Sequence, residues 1–279
     1  MVKVRETLQF IIAIVRRVLQ HDIWGLAAQT AFFLMLAVYP LLMFFVSVVH
    51  QTGNEVSSDI LHMVLPGEVA GEIVGEIEQD MPPQGHWPLF AVILSTWSAS
   101  AGVWALMRGI HRAYHQRRMA SPIRYRLLSL AFTFGFGLVI AVTMLLLIFG
   151  RQLADFISNQ LGTEDFAMTA GVRIVVMLGI LFAFLSMLYR LTPGVGGRLR
   201  QHIPGALFAA ILWIISAVVY EVYMNISEPY TNIYGGIGAF LGLMIWLFII
   251  CLIVLTGAEI NAYQHERRMR KRTTKEKRV

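Results

Sequence analysis

Residues 111–126 read HRAYHQRRMASPIRYR, a segment with five arginines and no acidic residue. The preceding polar loop, residues 51–86, has seven acidic residues and no Lys or Arg. A polytopic membrane protein encodes its orientation in loops of this kind, because basic loops stay on the cytoplasmic side. The contrast between the two loops therefore predicts a chain that crosses a membrane several times.

The composition is typical of the same class. Apolar residues make up 57% of the 279 residues and charged residues 14%, against about 45–50% and about 25% in soluble domains. The formal charge of +6 fits orientation signals and an anionic inner leaflet better than nucleic acid. We therefore expect anionic lipids as partners and no nucleic acid. Cys251 is the single cysteine, which excludes a disulfide within one chain.

The apolar stretches predict six helical spans, since roughly 20 apolar residues cross about 30 Å of hydrocarbon. The spans lie at about residues 24–49, 87–110, 127–150, 166–191, 203–226 and 237–262. An even number puts both termini on one side, and 21 of the 23 Lys and Arg residues lie on that side. The sequence thus predicts an all-α bundle of six transmembrane helices, with residues 23–262 as its membrane domain and both termini cytoplasmic.

Segments outside the spans predict two amphipathic helices and a tail. Residues 1–22 have apolar side chains at helical spacing among four basic ones. This pattern fits either a helix in the membrane interface or a helix packed on the bundle. In the outer loop, Glu68, Glu72 and Glu76 form the acidic stripe of a second helix, which we expect to face water. Residues 263–279 form a basic cytoplasmic tail, and we expect its residues 265–279 to be frayed or disordered because they are too charged to pack.

Six short segments carry a resemblance to a known family. They are AAQTAFF (27–33), YPLL (39–42), YRLTP (189–193), IPGA (203–206), YGGIGA (234–239) and LTGAEINA (255–262). In this order they resemble the YihY/BrkB family of bacterial inner-membrane proteins, also called virulence factor BrkB or ribonuclease BN-like. The resemblance covers roughly residues 10–265. It implies six transmembrane helices with cytoplasmic termini, and it implies little about activity. The chain departs from the family pattern at His111, where an Asn is expected.

The residues do not favour the ribonuclease chemistry in one of those names. A metal-dependent nuclease needs clustered His and Asp ligands in a site that water reaches. His111 and His115 have the i,i+4 spacing of a helical ligand pair, but the arginines around them would repel a cation. Phosphate-binding glycine loops and nucleophile motifs are absent. We therefore predict no enzymatic activity, no catalytic residue, no metal and no cofactor.

Polar residues inside the predicted spans are the candidate functional residues. Arg173 lies roughly 10 Å, and Glu221 roughly 8 Å, inside the outer ends of their spans at 1.5 Å per residue. An unpaired charge inside hydrocarbon costs on the order of 3 kcal/mol, so it needs a partner or a wet cavity. Either Arg173 and Glu221 meet, with Gln29 and Thr30 as further polar positions, or each charge snorkels to the headgroups.

A second candidate site lies at the cytoplasmic ends of the spans. Glu259 and Asn261 lie near the depth of Arg108 and Arg190. We expect Glu259 to neutralise one of these arginines. The pair would act either as a structural closure of three helices or as a gate that opens when it breaks.

Proline and glycine predict the shape of the spans. Pro40 should kink the first span, because proline removes one backbone hydrogen bond. Gly205 in the fifth span, and Gly238 and Gly242 in the sixth, are candidate positions for close helix packing.

The combined pattern favours one function over two others. A broken span, intramembrane polar residues and no catalytic constellation favour a non-enzymatic transporter or exporter of a lipid or another amphiphile. A structural or envelope-assembly membrane protein is the alternative, and a membrane-tethered nuclease is disfavoured. A homo-oligomer is compatible with each hypothesis.

Overall fold

Helices account for the architecture of this protein. A computed structural model describes residues 2–52, 87–114, 121–161, 170–195, 198–234 and 236–276. These ranges hold seven α-helices and one short 3₁₀ helix. The elements are α1 (Val2–Gln20), α2 (Ile23–Thr52), α3 (Trp87–Ala113), α4 (Pro122–Leu161), α5 (Ala170–Leu191), the 3₁₀ helix η1 (Leu199–Gln201), α6 (Ile203–Tyr234) and α7 (Gly236–Glu276).

Each of the long helices α2 to α7 overlaps one of the six predicted spans, and α4, α6 and α7 continue well past the predicted ends at 150, 226 and 262. Three segments are long and apolar enough to cross a membrane by themselves, namely Pro122–Ile140, Ile203–Tyr223 and Phe240–Met269. Leu8–Gln20 and Ile23–Val38 would together make a fourth, with a bend of 62° between them. The chain is therefore a polytopic helical membrane protein with three to four such spans among the described residues. The count of six rests on the sequence pattern.

The bend between α1 and α2 is made at His21 and Asp22. The backbone N–H of His21 donates to the carbonyl of Arg17 at 2.9 Å, and the carbonyl of Asp22 accepts from the N–H of Leu26 at 3.2 Å. Asp22 has a φ of 53°, a left-handed conformation that Asp tolerates because its short side chain can hydrogen-bond locally. One helix therefore ends and the next begins within two residues.

Helix α1 has one packed face and one uncovered apolar face. Ile14 and Arg17 are buried, and the ring of Phe10 packs edge-on against that of Tyr263 on α7 with 5.5 Å between centroids. The apolar side chains of the other face are between 51% and 66% exposed: Leu8, Ile11, Ile12, Val15 and Leu19. The buried face fits a helix that packs on the bundle, and the exposed apolar face fits a helix in the membrane interface.

The apolar core lies at one end of the bundle, where six helix ends meet. Its buried residues come from 23–31, 105–113, 125–132, 185–195, 206–210 and 250–262. We call this the basic end, because the arginine-rich segment 111–126 lies there. The carbonyl of Pro193 accepts hydrogen bonds from the hydroxyl of Tyr125 at 3.0 Å and from Nδ1–H of His111 at 2.9 Å. These bonds join α3, α4 and the end of α5.

Helices α4, α5 and α6 are less covered away from the basic end. Among side chains whose burial the structure describes, none is buried after Phe132 in α4, before Leu185 in α5 or after Ala210 in α6. In these three helices the described core is therefore confined to the end that lies at the basic end of the bundle.

Helices α6 and α7 cross in close contact at two glycines. A Cβ atom on Gly205 would overlap the carbonyl oxygen of Gly257, and a Cβ atom on Gly257 would lie 2.7 Å from the carbonyl oxygen of Gly205. Gly205 thus lies at a close contact between helices, with a partner on α7 that the sequence did not indicate. Gly242 is buried, and the surroundings of Gly238 lie outside the described residues.

The basic tail is helical. Helix α7 continues to Glu276, so the expectation of a frayed or disordered tail is wrong for residues 265–276. Lys, Arg, Glu and Met are good helix formers, and an existing helix extends more readily than a new one nucleates. The predicted outer-loop helix lies outside the described residues. Helix α2 runs through Pro40, and the kink there stays a prediction.

Replacing Gly205 by Ala should destabilise the protein, because the new methyl group meets rigid backbone. We expect the free energy of unfolding to fall by about 1–3 kcal/mol. Gly137→Ala is the matched control, because a Cβ atom there has nothing within 4 Å, and it should be neutral or slightly stabilising. Thermal melting of the purified protein in detergent measures both changes. An unchanged melting temperature for Gly205→Ala would contradict the close crossing.

Candidate functional site

The basic end holds a fully buried carboxylate, that of Glu259 on α7. Glu259 forms an ion pair with His21, and Nε of Arg17 lies 3.2 Å from Glu259 Oε2. Both partners come from the last turn of α1 and the bend after it. A buried carboxylate without partners costs several kcal/mol. The two pairs therefore stabilise α1 in its position against α7.

Arg17 also binds a second acid, two turns further along α7. Its Nη2 lies 2.6 Å from Glu266 Oε1 and its Nη1 lies 3.4 Å from Glu266 Oε2, a two-pronged geometry that favours strong pairing. The side chain of Glu266 is 42% exposed, whereas that of Glu259 is 0% exposed. One guanidinium thus joins a buried acid to a solvent-exposed one. We call Arg17, His21, Glu259 and Glu266 the α1–α7 charge cluster.

Glu259 binds Arg17 and His21, whereas the predicted depths of the residues in the membrane had indicated Arg108 or Arg190. Arg108 instead donates from Nη2 to Gln29 Oε1 at 3.2 Å, and its guanidinium lies 3.9 Å from the centre of the Trp104 ring. Arg190 is exposed on α5. Two residues at the same depth along the bundle can still point in different directions from their helices. Arg108 bonds to α2, while Glu259 bonds to α1.

Alternate residues of the segment LTGAEINA bind different helices. Gly257 and Asn261 are four residues apart and share one face of α7. Gly257 contacts Gly205, and Oδ1 of Asn261 accepts a hydrogen bond from the N–H of Gly205 at 2.8 Å. That N–H lies in the first turn of α6, where no helical carbonyl is available to it. Glu259 is two residues from each, so it points toward the opposite side of α7, where α1 lies.

A second group of polar side chains adjoins the charge cluster. A hydrogen bond of 3.1 Å joins the hydroxyl of Tyr114 and Nδ1 of His202, which is buried. The ring of Tyr114 also lies 6.3 Å from that of His265. Burial, and then the negative charge of Glu259, raise the pKa of Tyr114 above its ordinary value. The phenol therefore keeps its proton at neutral pH and serves as a hydrogen-bonding group.

The described contacts do not bring the predicted intramembrane polar site together. Glu221 is exposed on α6. Arg173 lies in α5, but its side chain is outside the described residues. Gln29 is exposed, and the buried hydroxyl of Thr30 donates to the carbonyl of Leu26 at 2.8 Å. Gln29 and Thr30 thus belong to the basic end, and the Arg173–Glu221 contact stays a prediction.

Sequence reasoning missed Arg17 and His21 as members of the site. A signal for them exists, because Ile14, Arg17 and His21 recur at helical spacing on the side of α1 opposite its exposed apolar face. Two basic side chains on the less apolar face of an amphipathic helix indicate an acidic partner. The partner itself lies 238 residues away from His21, so spacing alone does not identify it.

The chemistry of the charge cluster is ion pairing between helices. Among the described residues, no group of three or more His, Cys, Asp or Glu side chains is placed to hold a metal ion. Arg17 lies between both carboxylates of the cluster. The arrangement therefore makes the contact between α1 and α7 depend on charge.

Comparison with known proteins gives the family. A model described as virulence factor BrkB matches residues 14–279. The chain belongs to the BrkB family. This confirms the resemblance found in the six sequence segments. No solved structure matches the chain.

Relatives of the chain differ in how much of it they match. The ribonuclease-like protein YfkH of Bacillus subtilis (strain 168) is 30% identical over 254 residues, which cover 89% of this chain and 92% of that protein. A UPF0761 membrane protein of Pseudoalteromonas translucida (strain TAC 125) is 34% identical over 84 residues, which cover 30% and 28%. Another, from Azotobacter vinelandii, is 28% identical over 125 residues, which cover 44% and 31%.

The BrkB match includes every member of the charge cluster. It begins at residue 14, within α1 and before Arg17 and His21, and it continues past Glu259 and Glu266. The relatives' names refer to a ribonuclease in one case and to a membrane protein in the others. The function of this BrkB-family chain is therefore argued from its own residues.

Replacing Glu259 by Gln keeps the size of the side chain and removes a buried counter-ion from Arg17 and His21. We expect the free energy of unfolding to fall by about 3–5 kcal/mol, as when a buried pair is broken. The matched change Glu266→Gln removes the more exposed acid and should cost at most about 1 kcal/mol. Thermal melting of both variants in detergent gives the comparison. Equal losses would show that burial does not distinguish the two pairs.

Proposed function

We propose that this chain is a six-span protein of the bacterial inner membrane, with both termini cytoplasmic, that transports or exports a lipid or another amphiphile without catalysing a reaction. One observation carries the proposal, namely the contrast between the two ends of the bundle. The basic end is closed by the α1–α7 charge cluster and by the crossing of Gly205 and Gly257. Away from it, α4 to α6 have no buried side chain among those described.

An amphiphile suits this contrast better than a soluble ion. An acyl chain needs no enclosed channel, since the surrounding lipid is already apolar, whereas the headgroup needs polar groups to cross hydrocarbon. The uncovered face of α6 is apolar at Val218, Val219 and Val222, and Glu221 is exposed among them. The acyl chain would stay in lipid along such a face while the headgroup follows the polar residues.

The charge cluster supports a role as a gate at the cytoplasmic end. Glu259 is held by Arg17 at the end of α1 and by His21 in the bend that follows it. A small displacement of α1 from α7 would therefore open this end without unfolding either helix. A ligand drives such a change only if it binds the open state more tightly than the closed one. The headgroup of the transported amphiphile would supply that difference.

A structural or envelope-assembly role is the second hypothesis. Its support is the rigid packing of the basic end, together with the exposed apolar faces of α4 to α6, which would then contact another protein. Ribonuclease activity has less support, because the described His, Asp and Glu residues form no metal-binding group. A transport assay on the purified protein distinguishes the first two hypotheses, because only the transporter hypothesis predicts movement of lipid.

Cysteine labelling tests the proposed orientation. Cys251 is 2% exposed, so the unmodified chain should react little with a membrane-impermeant maleimide. We expect Asp59→Cys, in the acidic loop, to be labelled in intact spheroplasts, and Lys275→Cys, in the tail, to be labelled only after permeabilisation. The opposite pattern would invert the orientation. Labelling of both positions in intact spheroplasts would contradict an even number of spans.

Lipid translocation tests the proposed activity. Proteoliposomes carry a phospholipid with a fluorescent headgroup, and dithionite quenches only the molecules that reach the outer leaflet. We expect the wild type to translocate lipid, and Arg173→Ala and Glu221→Ala to be slower by about tenfold or more, which requires only about 1.4 kcal/mol of added barrier. Glu259→Gln weakens the contact that closes the cytoplasmic end, so we expect it to translocate lipid faster than the wild type. Gly137→Ala is the control, because its site is open.

The outcomes separate the hypotheses. Background-level movement in the wild type and in all three variants would contradict lipid transport and favour assembly. Wild-type rates in Arg173→Ala and Glu221→Ala, with a fast Glu259→Gln variant, would support the gate and remove the two outer charges from the path.

A further inference from the structure

A cleft of about 240 Å³ opens at the basic end. Residues around the 3₁₀ helix η1 form one wall, and the cytoplasmic extension of α7 forms the other. The lining residues are Arg198, Arg200, Gln201, His265, Arg268 and Met269. None of these residues belongs to the α1–α7 charge cluster, so we treat the cleft as a separate feature.

The cleft is cationic, and the described ion pairs leave its charge uncompensated. Its lining contains three arginines and no acid. The ion pairs that the structure describes do not include Arg198, Arg200 or Arg268. The acid nearest to Arg268 along α7 is Glu266, and Arg17 binds it with both terminal nitrogens. Three exposed guanidiniums therefore surround one small space without an acid among them.

The two walls of the cleft are joined to each other. Nδ1–H of His265 donates to Oε1 of Gln201 at 3.2 Å, which links α7 to η1. The N–H of Gln201 donates in turn to the carbonyl of Arg198 at 2.9 Å and closes the turn that carries the arginines. Walls that are fixed before binding lose less conformational entropy when a ligand enters. The cleft is thus preorganised for a ligand.

We propose that this cleft binds the phosphate group of an anionic lipid in the cytoplasmic leaflet. A phosphate group offers several oxygens, so more than one guanidinium can bind it with paired N–H donors at the same time. A single carboxylate has two oxygens and would satisfy fewer of the three arginines. The arginine content of the cleft therefore favours phosphate.

The depth of the cleft favours a lipid headgroup over a free phosphate ion. Residues 265–269 lie three to seven residues beyond the predicted end of the last span at 262, or roughly 5–10 Å at 1.5 Å per residue. Each headgroup layer of a bilayer occupies roughly 5–8 Å outside the hydrocarbon. Leu199, Ile203 and Met269 are exposed apolar residues at the same level. They would contact the start of an acyl chain while the arginines hold its phosphate.

This inference rests on the proposed cytoplasmic placement of the basic end and does not require transport. If transport occurs, the cleft gives the headgroup a binding site next to the gate, since His265 and Glu266 are neighbours on α7. The lipid would then be recognised by its phosphate before the charge cluster opens.

The test compares two triple variants of the full-length protein, each with three positive charges removed. The cleft triple is Arg198→Gln, Arg200→Gln and Arg268→Gln. The control triple is Arg16→Gln, Arg124→Gln and Arg267→Gln, exposed arginines that do not line the cleft. Both proteins are placed in nanodiscs of phosphatidylcholine with increasing phosphatidylglycerol, and native mass spectrometry counts the retained lipid. We expect the cleft triple to retain phosphatidylglycerol on the order of 100-fold more weakly than the control triple, since the loss of two hydrogen bonds to a charged phosphate costs about that much.

Several results would overturn the inference. Equal weakening in the two triples would reduce it to a general effect of net charge. Binding of inorganic phosphate or glycerol 3-phosphate in detergent as tightly as phosphatidylglycerol would assign the cleft to a soluble ligand. Melting temperatures of both triples show whether either variant is misfolded.

Protection of a cysteine in the cleft gives a second measurement that does not depend on removing arginines. Met269→Cys should be alkylated in detergent, because residue 269 is exposed while Cys251 is buried. Phosphatidylglycerol should slow this alkylation, and phosphatidylcholine should not. Absence of protection at lipid concentrations that bind would place the lipid elsewhere. Loss of translocation with retained protection would refute the proposed transport and leave the cleft as a lipid site.

Discussion

Glu259 places a carboxylate inside a helix bundle, and much of the basic end follows from the need to balance its charge. The penalty for burying an unpaired ion is several kcal/mol, a large fraction of the stability of most proteins. Arg17 and His21 balance it from α1. For both to reach Glu259, α1 must lie against α7, and the chain must bend by 62° before α2 begins. The left-handed conformation of Asp22 is part of that bend.

The positions of the long helices could be predicted from the sequence, because apolar composition acts on each segment by itself. The partners of individual charges could not. Glu259, Arg108 and Arg190 are predicted at similar depths, but pairing also depends on the direction of each side chain around its helix. Arg108 contacts Gln29 on α2 and Trp104 on its own helix. Direction depends on how the helices rotate as they pack, and that is decided by contacts between distant segments.

The segment LTGAEINA shows the same limit in more detail. Helical periodicity places Gly257 and Asn261 on one face of α7 and Glu259 on the other. The sequence could therefore predict that this segment contacts neighbours on two faces. The partners were not, because Gly205 lies 56 residues from Asn261 and His21 lies 238 residues from Glu259. The structure gives the glycine, the acid and the amide of this segment a separate contact each. The glycine allows α6 to approach, the amide binds the start of α6, and the acid holds α1.

The two acids bound to Arg17 bear on how the basic end would open in the proposed transport. Glu259 is enclosed and held by Arg17 and His21, whereas Glu266 is partly exposed and binds Arg17 by two nitrogens. If Glu259 were released, the Arg17–Glu266 pair and the packing of Phe10 on Tyr263 would still join α1 to α7. Opening would then be a rotation about Glu266, not a separation of the helices. The exposed apolar face of α1 would remain in contact with lipid throughout, so the movement would require little new apolar surface to meet water.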